Sequence, residues 1–320
     1  MKKPISLLMV SAAALGLAAG GVNAADDAKP AEAAKAIEAA AIHGEHEIER
    51  QSWAFGGFKG QFDKAQLQRG FLVYKEVCSA CHGLKRLSFR NLSEPGGPEF
   101  DPEAVKAMAG KWDNQIPELN DDGEAAVATK DKDGKPSGFK YVTRPAWPSD
   151  PILGPYANDK AARAAQNGAL PPDLSIIAKA RGVHREANPI AHWFLMLSDV
   201  LKGYQEGGPD YVYGLLTGYG EPPAGTKVAD GMYFNTAFPG HQLAMPPPLS
   251  DGRLTMKENG YPLDPTVDNY ARDVASFLAW AADPSLNQRK RIGWQVMLYL
   301  LITTVLLALA KKRIWAKIKH

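Results

Sequence analysis

The stretch Val77-Cys78-Ser79-Ala80-Cys81-His82-Gly83 decides how this 320-residue chain is read. Two thiols three positions apart lie on one face of a helical turn, so both sulfurs can reach the two vinyl groups of one porphyrin and form thioether bonds. The imidazole that follows directly can then lie under the ring and ligate iron through one nitrogen. C-x-x-C-H is the attachment pattern of c-type haem. Three other readings compete. A thioredoxin-like redox pair needs a βαβ surround and a zinc site needs two further ligands at short spacing; neither is visible nearby in the sequence. A disulfide between Cys78 and Cys81 leaves His82 without a role. One covalent haem c, attached through Cys78 and Cys81 with His82 on the iron, is the expected cofactor.

Upstream of the motif, Asp63 followed by Gln66 is a capping start signal, and Leu67, Gly70, Phe71, Tyr74, Val77 and Cys78 recur at helical spacing. The pattern predicts a helix that delivers the motif. Gly70 inside it costs about 1 kcal/mol relative to Ala, and close approach of a second helix is the expected compensation. The candidate for that helix lies far downstream. Asp264 reads as its N-cap and Pro265 as its first residue, with Val267, Tyr270, Ala271, Val274, Phe277, Leu278 and Ala281 on one stripe that stops before Pro284. Between the two, Asp121 to Gly138 reads as an exposed charged loop. Leu170-Pro171-Pro172-Asp173-Leu174 reads as a rigid corner leading into a short helix over Ser175 to Arg181. His184 to Gly208 reads as a partly helical excursion, with Ile190, Trp193, Phe194 and Leu197 at helical spacing.

Both ends carry membrane signals. Lys2 and Lys3, the apolar run Ile5 to Ala19 and the small-residue site Val22-Asn23-Ala24 make residues 1–24 a secretory signal peptide. Ala25 to Arg50 is rich in Ala and Glu. Its His43 and His46 are a weak metal signal, and the segment reads as a solvated helix or a mobile extension. Ile292 to Ala310 gives 19 residues without a charge, against the roughly 20 that span a bilayer. Arg289, Lys290 and Arg291 precede it and Lys311, Lys312 and Arg313 follow. The expected order is a haem domain over 25–288, a transmembrane anchor over 289–311 and a tail over 312–320. With a leader upstream, the haem domain falls in the periplasm and the basic tail in the cytoplasm, which places the chain in a bacterial inner membrane.

The formal charge of +2 hides an asymmetry. Ten of the 37 basic side chains sit in the leader or around the anchor, and the remaining 27 face 35 acidic ones, all between Asp26 and Asp283. A body near −8 by this count repels nucleic acid and steers basic protein partners, the alternative being that mild acidity serves solubility. Both cysteines lie in the motif, so there is no disulfide framework.

Electron transfer at a haem with one histidine calls for a second axial ligand, and Met in that place raises the potential. Outside leader and anchor the methionines are Met108, Met196, Met232, Met245 and Met256. Met245 stands apart in Ala244-Met245-Pro246-Pro247-Pro248-Leu249, a run whose prolines fix φ and forbid helix. Met196 reads as an apolar helix residue, and His241 is the rival ligand. Arg181 follows the Pro-Pro-Asp-Leu corner and is a position for a propionate partner or an ordinary surface arginine.

Taken with the motif, Gln68-Arg69-Gly70-Phe71-Leu72-Val73-Tyr74, Asn167-Gly168-Ala169-Leu170-Pro171-Pro172-Asp173-Leu174-Ser175, Lys179-Ala180-Arg181, Gly208-Pro209-Asp210-Tyr211-Val212-Tyr213, Leu216-Thr217-Gly218-Tyr219, Met232-Tyr233-Phe234-Asn235, Ala244-Met245-Pro246-Pro247-Pro248 and Phe277-Leu278-Ala279-Trp280-Ala281-Ala282-Asp283-Pro284 make the chain resemble the cytochrome c1 family, the haem subunits of cytochrome bc1 complexes, in an alphaproteobacterial style. The resemblance implies a mainly α, class I c-type cytochrome fold with long loop insertions and one C-terminal transmembrane helix. It implies Met245 and His82 as the iron ligands, Arg181 as a propionate partner, and Asn167, Ala169, Leu170, Pro171, Pro172 and Tyr211 as haem-packing groups. It also implies cytochrome b, a Rieske iron–sulfur protein as donor and a cytochrome c as acceptor, in a dimeric complex, with the chain a redox subunit and no enzyme by itself. The excursion from His184 is longer than in mitochondrial relatives, and an extra cysteine pair of some bacterial relatives is absent. A tethered carrier or oxidase subunit, which often has an N-terminal anchor or two haem motifs, and a haem peroxidase, which needs an open sixth position, are the competing classes.

Overall fold

Asp63 caps the helix the sequence predicts. Its carboxylate accepts from the Gln66 backbone N–H at 2.6 Å, and α1 runs Lys64–Glu76. The computed structural model describes residues 48–112, 116–117, 126–130, 136–141, 143–181, 193–194 and 207–316, all within the unit Glu45–His320. The signal peptide, the His43/His46 segment, Met196 and nearly all of the 184–208 excursion lie outside the described residues, as do 317–320 of the tail.

The second helix is α6, Val267–Ala282, and it crosses α1 where expected. A Cβ placed on Gly70 would fall 2.1 Å from the Asp273 carbonyl oxygen and 2.6 Å from Phe277 Cβ, so only a residue without a side chain permits this crossing. Phe71 and Tyr74 of α1 pack on Phe277 with ring centroids 5.6 and 5.8 Å apart. Trp280, Tyr74 and Phe277 are among the fully buried side chains, each contributing on the order of 1.5–3 kcal/mol by transfer from water. Beside Gly70, Arg69 forks onto Asp273 at 2.8 and 3.0 Å, and the Tyr261 hydroxyl donates to the same carboxylate at 2.7 Å.

The start of α6 differs from expectation. Thr266, not Asp264, is the N-cap, with φ −112° and ψ 150°, and its hydroxyl accepts from Asn269 N–H. The reason is a neighbouring loop. The Pro265 carbonyl is taken by Gly252 N–H at 2.7 Å and the Val267 N–H by the Asp251 carboxylate at 2.7 Å, which holds residues 265–266 outside the helix. The single apolar stripe was also too narrow: Asp273, Ala275, Ser276 and Ala279 are buried too, because α1 covers one side of α6 while α4 (Ile177–Ala180) and α5 (Gly208–Thr217) cover another.

The remaining elements are short. They are β1 (Leu84–Ser88), α2 (Pro102–Gly110), β2 (Ile116–Pro117), β3 (Ala126–Lys130), β4 (Pro136–Tyr141), β5 (Thr143–Arg144), β6 (Pro151–Ile152), α3 (Asp159–Ala165), β7 (Tyr233–Phe234) and β8 (Gln242–Leu243). Among the described residues the strands pair in antiparallel twos, β1 with β6, β2 with β5, β3 with β4 and β7 with β8. The β3–β4 pair corrects the reading of 121–138 as a loop. Ala126 stands opposite Tyr141 and Ala128 opposite Phe139, and the β-formers Val127, Thr129, Phe139 and Tyr141 outweigh the charge that suggested a loop.

The C-terminal helix α7, Leu286–Trp315, is 30 residues long, and the apolar stretch within it has 0% of its residues buried. Its length and composition suit a membrane span. Its first turn is sewn to the body. Phe62 N–H donates to Asn287 Oδ1 at 3.1 Å, Lys290 Nζ donates to the Phe55 and Gly60 carbonyls at 2.6 and 3.1 Å, and Arg289 pairs with the buried Asp283, which also holds Lys179 of α4 at 3.0 Å.

Candidate haem site

Where α1 ends, Val77 breaks the α-helical geometry with φ −123° and ψ −59°, and Cys78–Ala80 winds as a 3₁₀ turn. The motif therefore does not continue the α-helix, as the spacing suggested. The turn is one residue short of Cys81, which caps it with φ −131° and ψ −27°, and the two cysteines are the ends of a single tight winding. Cys81 N–H and His82 N–H both donate to the Cys78 carbonyl, at 3.1 and 2.9 Å, and Tyr74 OH holds the His82 carbonyl at 3.0 Å.

The proline corner closes over the motif. His82 Nδ1 lies 2.7 Å from the Pro172 carbonyl oxygen. A carbonyl only accepts, so Nδ1 is the donor and Nε2 is the nitrogen presented to a metal. Burial pulls the His82 pKa below its ordinary value, with the Pro172 bond and Asp173 opposing; the neutral imidazole is the ligating form. The corner is fastened to the strand after the motif: Leu174 N–H donates to Gly83 O at 2.9 Å, Lys85 N–H to Asp173 Oδ2 at 2.8 Å and Arg86 N–H to Ser175 Oγ at 3.0 Å. Gly83 and Gly154 meet backbone to backbone, and a Cβ on Gly83 would fall 2.5 Å from Gly154 N.

Cys81 faces Tyr156 and Gln166, whose polar atoms lie 3.9 and 3.7 Å from its sulfur and 2.6 Å from each other. Gln166 caps α3, and the chain turns there through Asn167 and Gly168, both with positive φ, 50° and 89°. That turn carries Asn167 and Ala169 into the corner, with Leu170 37% exposed beside them. Pro171 is half-buried and Pro172 exposed.

Burial, reinforced by neighbouring Cys81 and opposed by Arg253, pushes the Cys78 thiol up to about 12, whereas redox and zinc-binding cysteines are held low. Both cysteines are free, and among the described residues no group of three or more His, Cys, Asp or Glu could hold a metal ion. Two half-buried free thiols at the ends of one turn, an imidazole fixed through Nδ1 and an exposed apolar Leu170 in the same corner are a donor set that fits a covalently attached haem.

Met245 belongs to a second arm. Its carbonyl accepts from Tyr219 OH at 3.0 Å. Tyr219 follows α5 and bridges to Asn235, a buried hub that donates to Leu215 O and accepts from Ala237 and Phe238 N–H. His241, the rival, has φ 57°, stacks on Phe234 at 5.5 Å and sets Nδ1 3.1 Å from Asn235 O. Met108 packs on the core, while Met232 and Met256 are 41% and 69% exposed. Arg181, exposed at the end of α4, lies near enough to buried Tyr211 of α5 to oppose the rise in its pKa that burial causes. The two arms meet at α4 and α5: a Cβ on Gly208 would fall 1.6 Å from the Ala178 carbonyl.

Tyr219, Asn235, Gln166 and Tyr156 were not singled out as candidates from the sequence. Tyr219 and Asn235 lay in stretches that carry the family resemblance, but nothing in those stretches marked either side chain.

A motif-bearing helix crossed by a C-terminal helix, with long loops between them and one apolar helix after, is the class I c-type cytochrome architecture. The chain belongs to the Cytochrome C1 family, whose model matches residues 53–318. It is 42% identical over 269 residues to cytochrome c1 of Blastochloris viridis, covering 84% of this chain and 86% of that one. Cytochrome c1 of Rhodospirillum rubrum is 39% identical over 289 residues, 85% of this chain and 89% of the relative. A polypeptide named cytochrome b/c1 from Bradyrhizobium diazoefficiens is 42% identical over 280 residues; the match takes in 87% of this chain and 37% of that longer one.

Proposed function

We propose that the chain is the electron-transfer subunit of a ubiquinol–cytochrome c reductase (bc1) complex, accepting one electron from a Rieske iron–sulfur protein and passing it to a cytochrome c, and that it is no enzyme alone. Supporting this are its family and a relative in Candida albicans, 38% identical over 282 residues, named cytochrome b-c1 complex catalytic subunit. Cytochrome b is the membrane partner this reading expects, within a dimeric complex. The polypeptide that joins b and c1 names in Bradyrhizobium agrees with it.

A haem c bound here supplies reversible one-electron chemistry. Cys78 and Cys81 would hold it covalently, with His82 Nε2 and Met245 on the iron. Arg181 would face a propionate, while Asn167, Ala169, Leu170, Pro171, Pro172 and Tyr211 would pack around it and exclude water. The chain's own work is orientation. Pro172 fixes the imidazole and Tyr219 fixes the Met245 backbone, so that little need move when charge changes. The observation that carries the reading is the 2.7 Å bond from His82 Nδ1 to Pro172 O directly after two free thiols on one turn.

Residues 1–24 serve as signal peptide, 25–288 as periplasmic haem domain, 289–311 as anchor and 312–320 as cytoplasmic tail in the bacterial inner membrane. The test is expression with haem-attachment machinery. A haem that stays on the chain through a denaturing gel, and that is released by Cys78→Ala with Cys81→Ala, is expected. A colourless exported protein overturns the assignment. Carbon monoxide binding to the reduced native protein would instead favour a peroxidase-like open site.

A further inference from the structure

At the foot of α7 lies a tight loop that neither the haem site nor the α1–α6 core accounts for. Gly56 N–H donates to Trp53 O at 3.0 Å and Gln61 N–H to Ala54 O at 3.1 Å. Gly57 has φ 66°, and a Cβ on Gly60 would fall 1.9 Å from the Gly56 carbonyl. The loop is thus closed on itself and conformationally fixed. Three of its aromatic neighbours point inward: Trp53, Phe55 and Phe62 are 7, 6 and 8% exposed. Phe58, at the tip, is 65% exposed, and Lys59 beside it is exposed too.

Lys290 fixes where this loop sits. Its ammonium caps the carbonyls of Phe55 and Gly60 at once, at 2.6 and 3.1 Å. Lys290 is two residues before the first residue of the uncharged run, about 3 Å along a helix axis. The polar zone on each side of a bilayer is roughly 5–7 Å deep, so a loop pinned at that height lies within it. The charge agrees. No acidic residue occurs from Gln51 to Phe62 or from Pro284 to the C-terminus, and Arg289, Arg291 and Trp294 are exposed around the same level. Aromatic rings interleaved with cations are what a headgroup layer with anionic lipid accepts.

We propose that the loop Trp53–Gly60 is a second membrane contact, with Phe58 and Lys59 seated among the lipid headgroups beside α7. The inference rests on α7 crossing the bilayer. It accounts for an exposed phenyl ring on a rigid, acid-free turn.

The test is site-directed spin labelling of the full-length haem-loaded chain in phosphatidylcholine–phosphatidylglycerol vesicles. With both native cysteines committed to haem, Phe58→Cys supplies one reactive thiol. Leu301→Cys reports the middle of α7 and Lys227→Cys an exposed site on the body. The ratio of accessibility to oxygen over a water-soluble nickel chelate is expected to be several-fold higher at 58 than at 227 and below that at 301. A water-like ratio at 58 with a lipid-like one at 301 overturns the loop contact and leaves the anchor standing. Shielding of 58 from both relaxers also overturns it, since that marks protein cover. A water-like ratio at 301 overturns the anchor and the loop contact together.

Discussion

The His82 imidazole is held by the Pro172 carbonyl, 90 residues away in sequence, so the motif's orientation depends on a corner that the motif does not encode. That corner is itself held by Asp173, which accepts from Lys85 and Ser175 N–H at 2.8 and 3.1 Å. Asp173→Ala is expected to cost about 1–3 kcal/mol, the worth of charged hydrogen bonds at a partly exposed site. It should also shift the low-spin electron paramagnetic resonance signal as the imidazole reorients. Loss of stability with an unchanged signal would confine Asp173 to a structural role.

Gly70→Ala should prevent the crossing of α1 on α6. The obstacle is the backbone oxygen of Asp273 at 2.1 Å, which no rotamer change relieves. A cost of about 3 kcal/mol, at the upper end for overpacking, is expected in chemical denaturation, with a reduced yield of haem-loaded protein. A cost under about 1 kcal/mol would mean that the helices slide apart without penalty.

The carboxylate of Asp273, 2% exposed, serves Arg69 and Tyr261 together. Asp273→Asn leaves Arg69 without its counter-charge and should destabilise by about 3 kcal/mol, at the low end for a broken buried pair because the Arg69 side chain keeps 20% exposure. Raising salt should change the wild-type stability little, since buried pairs escape screening. A strong salt dependence that vanishes in the variant would place the pair in solvent.

Asp150 gives a pH prediction. Its carboxylate takes Arg144 at 2.6 and 3.1 Å and Trp147 N–H at 2.7 Å. The Arg144 hydrogen bond is the main cause of a pKa below the ordinary value. A depressed acid stabilises the fold fully above the unfolded pKa, near 3.9, and that contribution is lost as pH falls through the lower folded value. The protection factor of the Trp147 amide, its exchange rate divided into the intrinsic rate at the same pH, should fall only below about pH 4. In Asp150→Ala it should be low throughout, whereas a wild-type protection factor that changes at neutral pH would reassign the cause.

Replacing Met245 by Leu should lower the midpoint potential by on the order of hundreds of millivolts, given the roughly 0.8 V that axial ligands command. Potentiometric titration reads it directly, and an unchanged potential would move the sixth ligand elsewhere. Tyr219→Phe, which removes only the donor to the Met245 carbonyl, should produce a smaller shift of the same sign.

The helices α1 and α6 were legible in their periodicity, and one costly glycine asked for a close partner, but their crossing was an expectation from the family resemblance. The prosthetic-group motif was legible because thiols and imidazole at that spacing serve few other ends. The start of α6 was not, since Asp251 and Gly252, 14 and 13 residues upstream of Pro265, claim the groups that would have begun the helix earlier. Nor was α5: the sequence reading ends its excursion at Gly208 and assigns no helix to 208–217, although proline is at home in a first helical turn. The 3₁₀ winding at Cys78 and the Asn235 hub were invisible for the same reason, as both are set by partners distant in sequence or by a shift of backbone geometry that residue spacing does not report.

Asn287, Arg289 and Lys290 bind the first turn of α7 to Phe62, Asp283 and the Phe55–Gly60 carbonyls. No linker separates the body from that helix, so turning one against the other would break all of these ties together.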